Sequence, residues 1–474
     1  MFTPTVPHRV LPPVTVRDLP DAPTSRWRLI GPGLVGAGVG LASGEFILWP
    51  YIASQVGLIF IWGALVGIVT QWFLNMEIER YTLATGETAL TGFSRFWKHW
   101  GAVFVLMTLL SNLWPGWVTT SATMVTYLTG SGQGTVRYIA IGMLIVIALG
   151  LTLAPVIYTA LERVIFIKIG LVLTLIVVAV LFAINADAWV ALGRGLTVDA
   201  SFPVPPLEFA VLMGAIAYAG AGGGQNLCQS NWIRDKGLGM GAYVPRLVSP
   251  VTGQEEAVSS TGFQFSPTKE NLARWRAWWR FANIEQGSTF AVVSFVTIAL
   301  MSMLAYSTVF GQPGLANSIG FLKVEGEALR DTVGAWFGVL FWLIGALSLF
   351  ASAMGIVDYT SRLASDVLKT VYLRERAISV NRVYFLVVWA MTLIGISVLL
   401  AGFDQPLILL VMSASFAASM MFVYSILLIV LNRRALPGPI KVRSYRLAAL
   451  IWSVAFFGSL TVLTLIQQAQ KLLG

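Results

Sequence analysis

The chain has 474 residues, of which 57% are hydrophobic and 11% are charged. Soluble globular proteins carry about 25% charged residues, so the charges here are too few to cover a soluble domain, and we expect lipid around the chain. The net charge of +9 does not indicate a nucleic-acid partner, because the basic residues lie in alternate loops between apolar runs. One cysteine, Cys228, and two histidines outside the apolar runs, His8 and His99, exclude an intramolecular disulfide framework and a metal cluster built from these residues.

The amino-terminal residues 1–25 are rich in proline and polar residues, and they predict a disordered cytoplasmic tail. The first apolar run follows Arg26 and Arg28. It is too long for the hydrophobic part of a signal peptide and is not followed by a clear cleavage site. We therefore expect it to remain as the first membrane span.

Long apolar runs follow one another along the chain, and about 20 such residues suffice to cross a bilayer. Eleven spans are predicted, at residues 30–55, 59–77, 103–129, 137–154, 164–184, 207–232, 288–309, 334–357, 382–402, 406–430 and 446–467. Spans 9 and 10 are separated only by a short turn around Asp404 and Pro406.

The lysine and arginine residues are distributed unequally between the two sides of these spans. With the amino terminus inside, all but five of the 31 lie on the cytoplasmic side. The exceptions are Arg137, Arg194, Lys323, Arg330 and Lys471. The positive-inside rule then predicts an inner (cell) membrane protein with a cytoplasmic amino terminus and an extracytoplasmic carboxyl terminus.

Glycines are concentrated in the middle of two spans. Residues 36–46 of span 1 contain four of them beside Glu45, and residues 217–227 of span 6 contain three in succession, followed by Gln225 and Asn226. Glycines in membrane helices commonly allow close packing. Paired interruptions five spans apart, however, are typical of inverted-repeat transporters, in which unwound backbone lines a cavity.

Several polar residues near these interruptions are candidates for a site. A carboxylate in the bilayer is costly, so Glu45 is predicted to be a ligand or a protonatable gate, with a structural acid as the alternative. Gln225 and Asn226 fit a site or helix packing equally. Asp358 ends span 8 near the cytoplasmic edge, where a solvated or capping role is expected. Cys228 is expected to be a buried small side chain rather than a soft metal ligand.

The longest loop, residues 233–287, lies on the predicted cytoplasmic side. Its segment 273–280 alternates arginine and tryptophan, which favours a helix at the level of the lipid headgroups. A partner-binding or regulatory role is the alternative.

Short motifs in four places resemble the Nramp family of divalent-metal transporters. They are Gly31-Pro32-Gly33 before the interruption at 42–45, Arg80 with Ala84-Thr85-Gly86 after span 2, Leu161-Glu162-Arg163 before span 5, and Gly223-Gly224-Gln225-Asn226-Leu227 in span 6. The resemblance covers about spans 1 to 10 and is best in spans 1, 2 and 6.

The resemblance implies an all-α polytopic membrane protein of the LeuT type, with two inverted five-helix repeats, broken helices 1 and 6, and one extra helix. The first repeat would be 26–185 and the second 207–431, which includes the loop 233–287. An extracytoplasmic linker, 186–206, would join them, and a loop and helix 11 would occupy 432–474.

The chain departs from the Nramp pattern at the residues that bind metal and move protons. The family's aspartate and asparagine in span 1 become Ala42 and Glu45, its methionine and histidine in span 6 become Gly223 and Gln225, its acids in span 3 become Trp114 and Trp117, and its span-10 glutamine becomes Ala414. A thioether favours softer metals, and its loss with one carboxylate retained favours a hard, hydrated cation such as Mg²⁺.

These residues predict a secondary carrier that moves a divalent cation, Mg²⁺ ahead of Mn²⁺, by alternating access and without the family's usual proton route. Glu45 would supply charge, and Gln225, Asn226 and the carbonyls of Ala42 and Gly222 would supply oxygens. Gating or accessory roles would fall to Gly44, Gly223, Gly224, Trp114, Trp117 and Asp358. We expect a monomer in the lipid bilayer with no permanently bound cofactor.

Two other classes of function remain open. One is a carrier of the same fold for an organic cation, an amine or an amino acid, and the other is a non-transporting membrane sensor. An enzyme is disfavoured, because the chain has no buried histidine, no serine–histidine pair at a suggestive spacing and no soluble domain of catalytic size.

Overall fold

The computed structural model describes residues 2–23, 31–154, 156–204, 207–244, 247–248, 262–315, 318–403 and 406–473. In these residues the chain is almost entirely helical. Ten helical segments are long and apolar enough to cross a membrane. Predicted span 6, residues 207–232, is not among these ten, because it is present as two half-helices that are each too short to cross a membrane alone. With span 6, the segments correspond to the eleven predicted spans.

The described residues of the first five spans and their connections contain nine α-helices. They are α1 Pro32–Gly40, α2 Trp49–Val56, α3 Ile61–Thr85, α4 Ala89–Ser94, α5 Trp100–Asn112, α6 Gly116–Thr129, α7 Val136–Leu153, α8 Ile157–Phe182 and α9 Ala186–Gly195. Span 1 consists of α1, a π-helical turn at Ser43–Leu48 and α2, and span 3 consists of α5 and α6, which are separated at Pro115.

After residue 206, the described part of the chain contains nine further α-helices, and its second strand pairs with one near the amino terminus. The helices are α10 Phe209–Ala217, α11 Gly224–Asp235, α12 Lys269–Glu285, α13 Val293–Thr308, α14 Phe321–Thr332, α15 Ala335–Val367, α16 Val380–Leu400, α17 Pro406–Arg434 and α18 Ser444–Leu473. The strands β1 Thr15–Val16 and β2 Phe263–Gln264 pair in parallel. Helix α16 ends at Leu400 and α17 begins at Pro406, so spans 9 and 10 are separate; Asp404, between them, lies outside the described residues.

Helix α15 of span 8 is central to the packing, because it contacts α5, α6, α8, α11 and α16. The outward faces of the spans carry large apolar side chains. In α8, Phe166, Ile167 and Leu181 are 66%, 63% and 66% exposed. Apolar patches of this extent are unfavourable in water, whereas the hydrocarbon of a bilayer accommodates them.

The amino-terminal segment 2–23 packs on the protein, in contrast to the disordered tail that its composition predicts. Strand β1 pairs with β2, and the Arg95 guanidinium donates hydrogen bonds to the carbonyls of Pro7 (2.7 Å) and Pro12 (2.9 Å). The Trp278 indole donates to the Pro20 carbonyl (2.8 Å). Proline lowers the conformational entropy of the unfolded chain, so ordering this segment costs less. The hydrogen bonds from Arg95 and Trp278 satisfy backbone carbonyls that have no partner in regular secondary structure.

The predicted helix at residues 273–280 forms as part of α12. Trp275 and Trp278 are buried, and Trp278 binds the amino-terminal segment rather than facing open headgroups. Within the loop 233–287, residues 245–246 and 249–261 lie outside the described residues.

Candidate functional site

The two interruptions lie against each other, as the glycine clusters predicted. A Cβ atom on Gly40 would overlap the carbonyl oxygen of Gly220, and one on Gly44 would overlap the carbonyl oxygen of Tyr218. The backbones of spans 1 and 6 therefore touch at their breaks, and glycine is required in span 1 because any side chain would push them apart.

The break in span 6 extends from the end of α10 to the start of α11. Gly220, Gly222 and Gly223 have φ angles of 106°, 90° and 55°. This is the left-handed region that residues with a Cβ rarely adopt. The glycines thus serve backbone conformation here, beyond close packing.

Gln71 of α3 satisfies the unwound backbone of span 6. Its Oε1 accepts hydrogen bonds from the amides of Ala221 (3.1 Å) and Gly222 (2.9 Å), and its Nε2 donates to the carbonyl of Ala217 (3.1 Å). Unpaired backbone groups inside a membrane are costly. Gln71 therefore holds the unwound backbone in a defined shape. This role of a span-2 residue was not predicted from the sequence.

Glu45 lies on the π-helical turn that follows the break in span 1. It is 0% exposed, and neither carboxylate oxygen has a hydrogen-bond partner among the described residues. A buried carboxylate without a partner is strongly unfavourable unless a proton or a cation neutralises it. Glu45 is therefore either protonated or neutralised by a nearby positively charged group.

Lys168 of α8 reaches the same break from span 5. It is 3% exposed, and its Nζ donates to the carbonyl of Gly38 (2.6 Å) and to the hydroxyl of Ser352 on α15. The ammonium is close enough to Glu45 to attract its carboxylate, although no ion pair within 4.0 Å joins them. Lys168 was not among the predicted site residues, although a single basic residue inside an apolar span is a signal that points to it.

Carbonyl oxygens around the two breaks already accept hydrogen bonds. The Gly36 carbonyl accepts from Gln225 Nε2 (2.5 Å), and the Ala42 carbonyl accepts from the amide of Phe46 (3.0 Å). The Gly222 carbonyl accepts from the amide of Gln225 (3.2 Å). The two carbonyls predicted as ligands, those of Ala42 and Gly222, therefore have only their second lone pair left for a cation.

The two predicted amide ligands are placed differently. Gln225 uses its amino group to join α11 to α1 through Gly36. Asn226 is 1% exposed, its Nδ2 lies 3.4 Å from Gln71 Oε1, and its Oδ1 has no partner in the described part of the chain. Asn226 thus offers a free oxygen at the start of α11, whereas Gln225 acts mainly as a link between the broken spans.

The tryptophans of span 3 border the break in span 6. The ring of Trp117 meets that of Tyr218 edge to face, with centroids 6.4 Å apart. The Tyr218 hydroxyl lies 2.5 Å from the Ser413 hydroxyl of α17. Trp114, at the interruption of span 3, has a buried indole N–H without a partner among the described residues. Trp117 is thus in position to close one side of the break.

The remaining predicted glycines pack against other spans. A Cβ on Gly223 would meet Ala417 of α17, and one on Gly224 would meet Thr108 of α5. Both glycines are therefore packing positions, in addition to the conformational requirement at Gly223.

Asp358 is buried in an ion-pair network rather than solvated. It accepts hydrogen bonds from Arg362 Nε (2.7 Å) and from the Tyr384 hydroxyl (2.7 Å), and Arg362 also pairs with Asp235 of α11. The partner of Asp358 lies one helical turn later on α15, and this brings a countercharge into the protein. The network links spans 6, 8 and 9, and both carboxylate oxygens of Asp358 are engaged in it, so Asp358 serves packing between these spans.

The first turn of α1 is capped by a residue from α12, the helix that continues into span 7. Glu285 accepts a hydrogen bond from the Gly33 amide (2.8 Å) and from the Thr289 hydroxyl (3.1 Å). Free amides and the helix dipole favour a carboxylate at this end of a helix. Glu285, which was not among the predicted site residues, thus binds the start of the first broken span.

The charged and sulfur-containing side chains of the site are few. No group of three or more His, Cys, Asp or Glu side chains that could hold a metal ion occurs among the residues that the structure describes. Cys228 is buried, as predicted. A metal ion at the central site would therefore be held by Glu45, by neutral oxygens and by water.

No protein family profile matches the chain. No curated protein matches it in sequence. Solved structures do: a variant of the manganese transporter of Eremococcus coleocola is similar, with a TM-score of 0.70 and 13% identity, over 98% of this chain and 92% of that chain. MhsT in complex with L-phenylalanine has a TM-score of 0.52 and 12% identity, over 94% of this chain and 99% of that one.

A third similar structure is Mhp1, a nucleobase-cation-symport-1 family transporter with bromovinylhydantoin bound. Its TM-score is 0.51 and its identity 12%, over 92% of this chain and 93% of that chain. These likenesses concern the fold. The chain is therefore a multi-pass membrane protein with the LeuT-type fold of these transporters, and the fold implied by its resemblance to the Nramp family is confirmed.

Proposed function

We propose that the chain is a secondary carrier that moves a small solute bearing a positively charged group across the membrane by alternating access. The observation that carries this proposal is Glu45, a buried carboxylate without a hydrogen-bond partner among the described residues, beside two facing broken spans. Broken spans at mid-membrane are the usual location of substrate sites in inverted-repeat carriers. A carboxylate at that location favours a cationic group on the cargo.

A divalent cation, Mg²⁺ ahead of Mn²⁺, is the first candidate. Glu45 and the free Oδ1 of Asn226 are oxygen ligands, and Mg²⁺ binds few protein oxygens while it keeps several waters. The structure of a manganese transporter is similar in fold. Trp114 and Trp117 cannot carry protons, so the expected driving force is the membrane potential rather than proton movement through span 3.

An ammonium-bearing organic solute, such as an amine or an amino acid, is the second candidate, and Lys168 is the observation that favours it. Its ammonium is bound to the carbonyl of Gly38 and attracts Glu45, so the site is nearly neutral before cargo enters. A dication would then add two uncompensated charges to a buried site, a protonated amine would add one, and a zwitterionic amino acid would add none.

Transport by the purified chain in proteoliposomes tests both candidates. We would compare uptake of Mg²⁺ and Mn²⁺ with uptake of amines and amino acids under an imposed membrane potential. The test variant is Glu45→Gln, and the matched control is Glu270→Gln, which removes an exposed carboxylate from α12. Uptake of the cargo should be lost in the first variant and kept in the second.

The outcomes separate the candidates. Metal uptake that requires Glu45 supports the divalent cation. Absence of metal flux and metal binding, together with amine or amino-acid uptake that requires Glu45, selects the second candidate. Flux that is unchanged in Glu45→Gln places the site elsewhere, and no flux of any of these solutes rejects the proposal.

A further inference from the structure

A cleft of about 400 Å³ lies on the amino-terminal side of the protein, away from the central site. The amino-terminal segment contributes Val10 and Leu11 to its wall, the loop between spans 2 and 3 contributes Lys98, and the end of span 8 contributes residues 370–372 and 374–376. Three separate parts of the chain therefore meet around it.

Cationic side chains dominate the lining of this cleft. Lys98, Arg374 and Arg376 line it, and the opposing charge is that of Glu375 alone among its lining residues. None of the three cations has a carboxylate within 4.0 Å among the described residues. Positive charges that share a small space repel one another, and an anion between them relieves that repulsion.

The arginines are presented on a folded turn. The Nζ of Lys369 donates hydrogen bonds to the carbonyls of Leu373 (3.2 Å) and Arg376 (2.8 Å). This turn fixes the backbone that carries Arg374 and Arg376. Little ordering of the backbone is then required when a ligand binds, which favours affinity.

Aromatic side chains beside the cleft indicate its position relative to the lipid bilayer. The Tyr372 hydroxyl lies 2.8 Å from His99 Nδ1, and the Nζ of Lys98 lies 5.3 Å from the Tyr372 ring centroid. Trp97 is 46% exposed and packs against Trp100. Exposed tryptophan and tyrosine at the ends of spans mark the headgroup level of a bilayer. The cleft is thus at the membrane surface on the side that is expected to be cytoplasmic.

We propose that this cleft binds an anionic phosphate group, with Arg374 and Arg376 as the principal ligands and Lys98 as the third. Guanidinium groups bind phosphate oxygens in pairs of parallel hydrogen bonds. Basic pockets at the cytoplasmic ends of spans are suited to anionic lipid headgroups. A soluble phosphate compound has the same chemistry. Either ligand would contact Val10 and Leu11, and so would fix the amino-terminal segment to the end of span 8.

Binding to the full-length protein tests this proposal. Native mass spectrometry would count molecules of phosphatidylglycerol retained from mixed micelles, with phosphatidylcholine as the neutral comparison, and a separate titration would use inorganic phosphate. The test variant is Arg374→Gln with Arg376→Gln. The matched control is Arg433→Gln with Arg434→Gln, which removes two exposed charges from the same side of the protein.

The test variant should bind about tenfold more weakly, and the control should bind like the wild type. Retention of one phosphatidylglycerol that phosphate does not displace assigns the site to a lipid headgroup. Binding of phosphate without lipid retention assigns it to a soluble ligand. Equal loss in the two double variants, or no binding of either probe, overturns the proposal. Thermal unfolding and gel filtration would first establish that both variants are folded.

Discussion

Glu325, on the side of the protein opposite to the amino terminus, allows a test of how a buried carboxyl group affects the stability of the protein. It lies on α14, between spans 7 and 8, is 0% exposed, and has no partner for either carboxylate oxygen among the described residues. Burial raises the pKa of Glu325 from 4.5 to about 8. The substitution Glu325→Gln retains the shape of the side chain and removes its ionisation.

The sign of the pH effect follows from proton linkage. Between pH 4.5 and pH 8 the unfolded chain loses this proton and the folded chain keeps it, so stability falls as pH rises through that window and levels off above it. At 1.36 kcal/mol per pKa unit the loss is about 3 kcal/mol at pH 7 and about 5 kcal/mol at pH 8 and above. For a chain of this length, that corresponds to roughly 1 °C in the unfolding midpoint per kcal/mol.

The assay is thermal unfolding of the purified protein in detergent at pH 5, 7 and 9, followed by tryptophan fluorescence. The variant should match the wild type near pH 5 and exceed its midpoint by about 3 °C at pH 7 and about 5 °C at pH 9. Glu327→Gln is the control, because Glu327 is exposed on the same helix, 3.7 Å from Lys323. Equal pH profiles for the wild type and Glu325→Gln, or a variant that is less stable at pH 9, would refute the reasoning.

Three further substitutions probe the central site. Lys168→Met should raise Mg²⁺ affinity about tenfold, measured by thermal stabilisation, if the cargo is a dication, because a competing charge is removed; unchanged Mg²⁺ affinity would contradict that role. Gly40→Ala should prevent correct folding, seen as loss of the monodisperse peak in gel filtration, because its Cβ would overlap Gly220, whereas Gly142→Ala, with no neighbour within 4 Å, should behave like the wild type. Gln71→Leu should cost about 2–4 kcal/mol and abolish uptake, because it leaves backbone groups of the span-6 break without partners; full uptake would show that the break does not need this support.

Features that depend on neighbouring residues in the chain were predictable. Span positions follow from apolar runs of bilayer length, and the breaks follow from glycine clusters, because both are local properties of sequence. The burial of Glu45 also followed from its position in an apolar run. The burial of Asp358 could not be predicted in this way. It depends on Tyr384 and, through Arg362, on Asp235, and both of these partners lie on other spans.

Features that depend on remote contacts were missed. Gln71 reaches the amide of Gly222 across 151 residues, and Glu285 reaches Gly33 across 252 residues. Lys168 was visible as a charge in span 5, but its contact with Gly38 required the fold. Sequence could not reveal that the carbonyl of Ala42 is already engaged, since that depends on how the helix resumes after its break.

The polar contacts of the broken spans indicate which spans would move as a group if one part of the protein rocked against the other. Glu285, at the start of span 7, and Gln225 of span 6 bind span 1, and Gln71 of span 2 binds the break in span 6. We therefore expect spans 1, 2, 6 and 7 to move together. The contacts of Lys168 with Gly38 and of Ser348 with Leu41 cross from that group to spans 5 and 8. In the proposed transport cycle these contacts would have to break and form again, so their strength would limit the rate of that cycle.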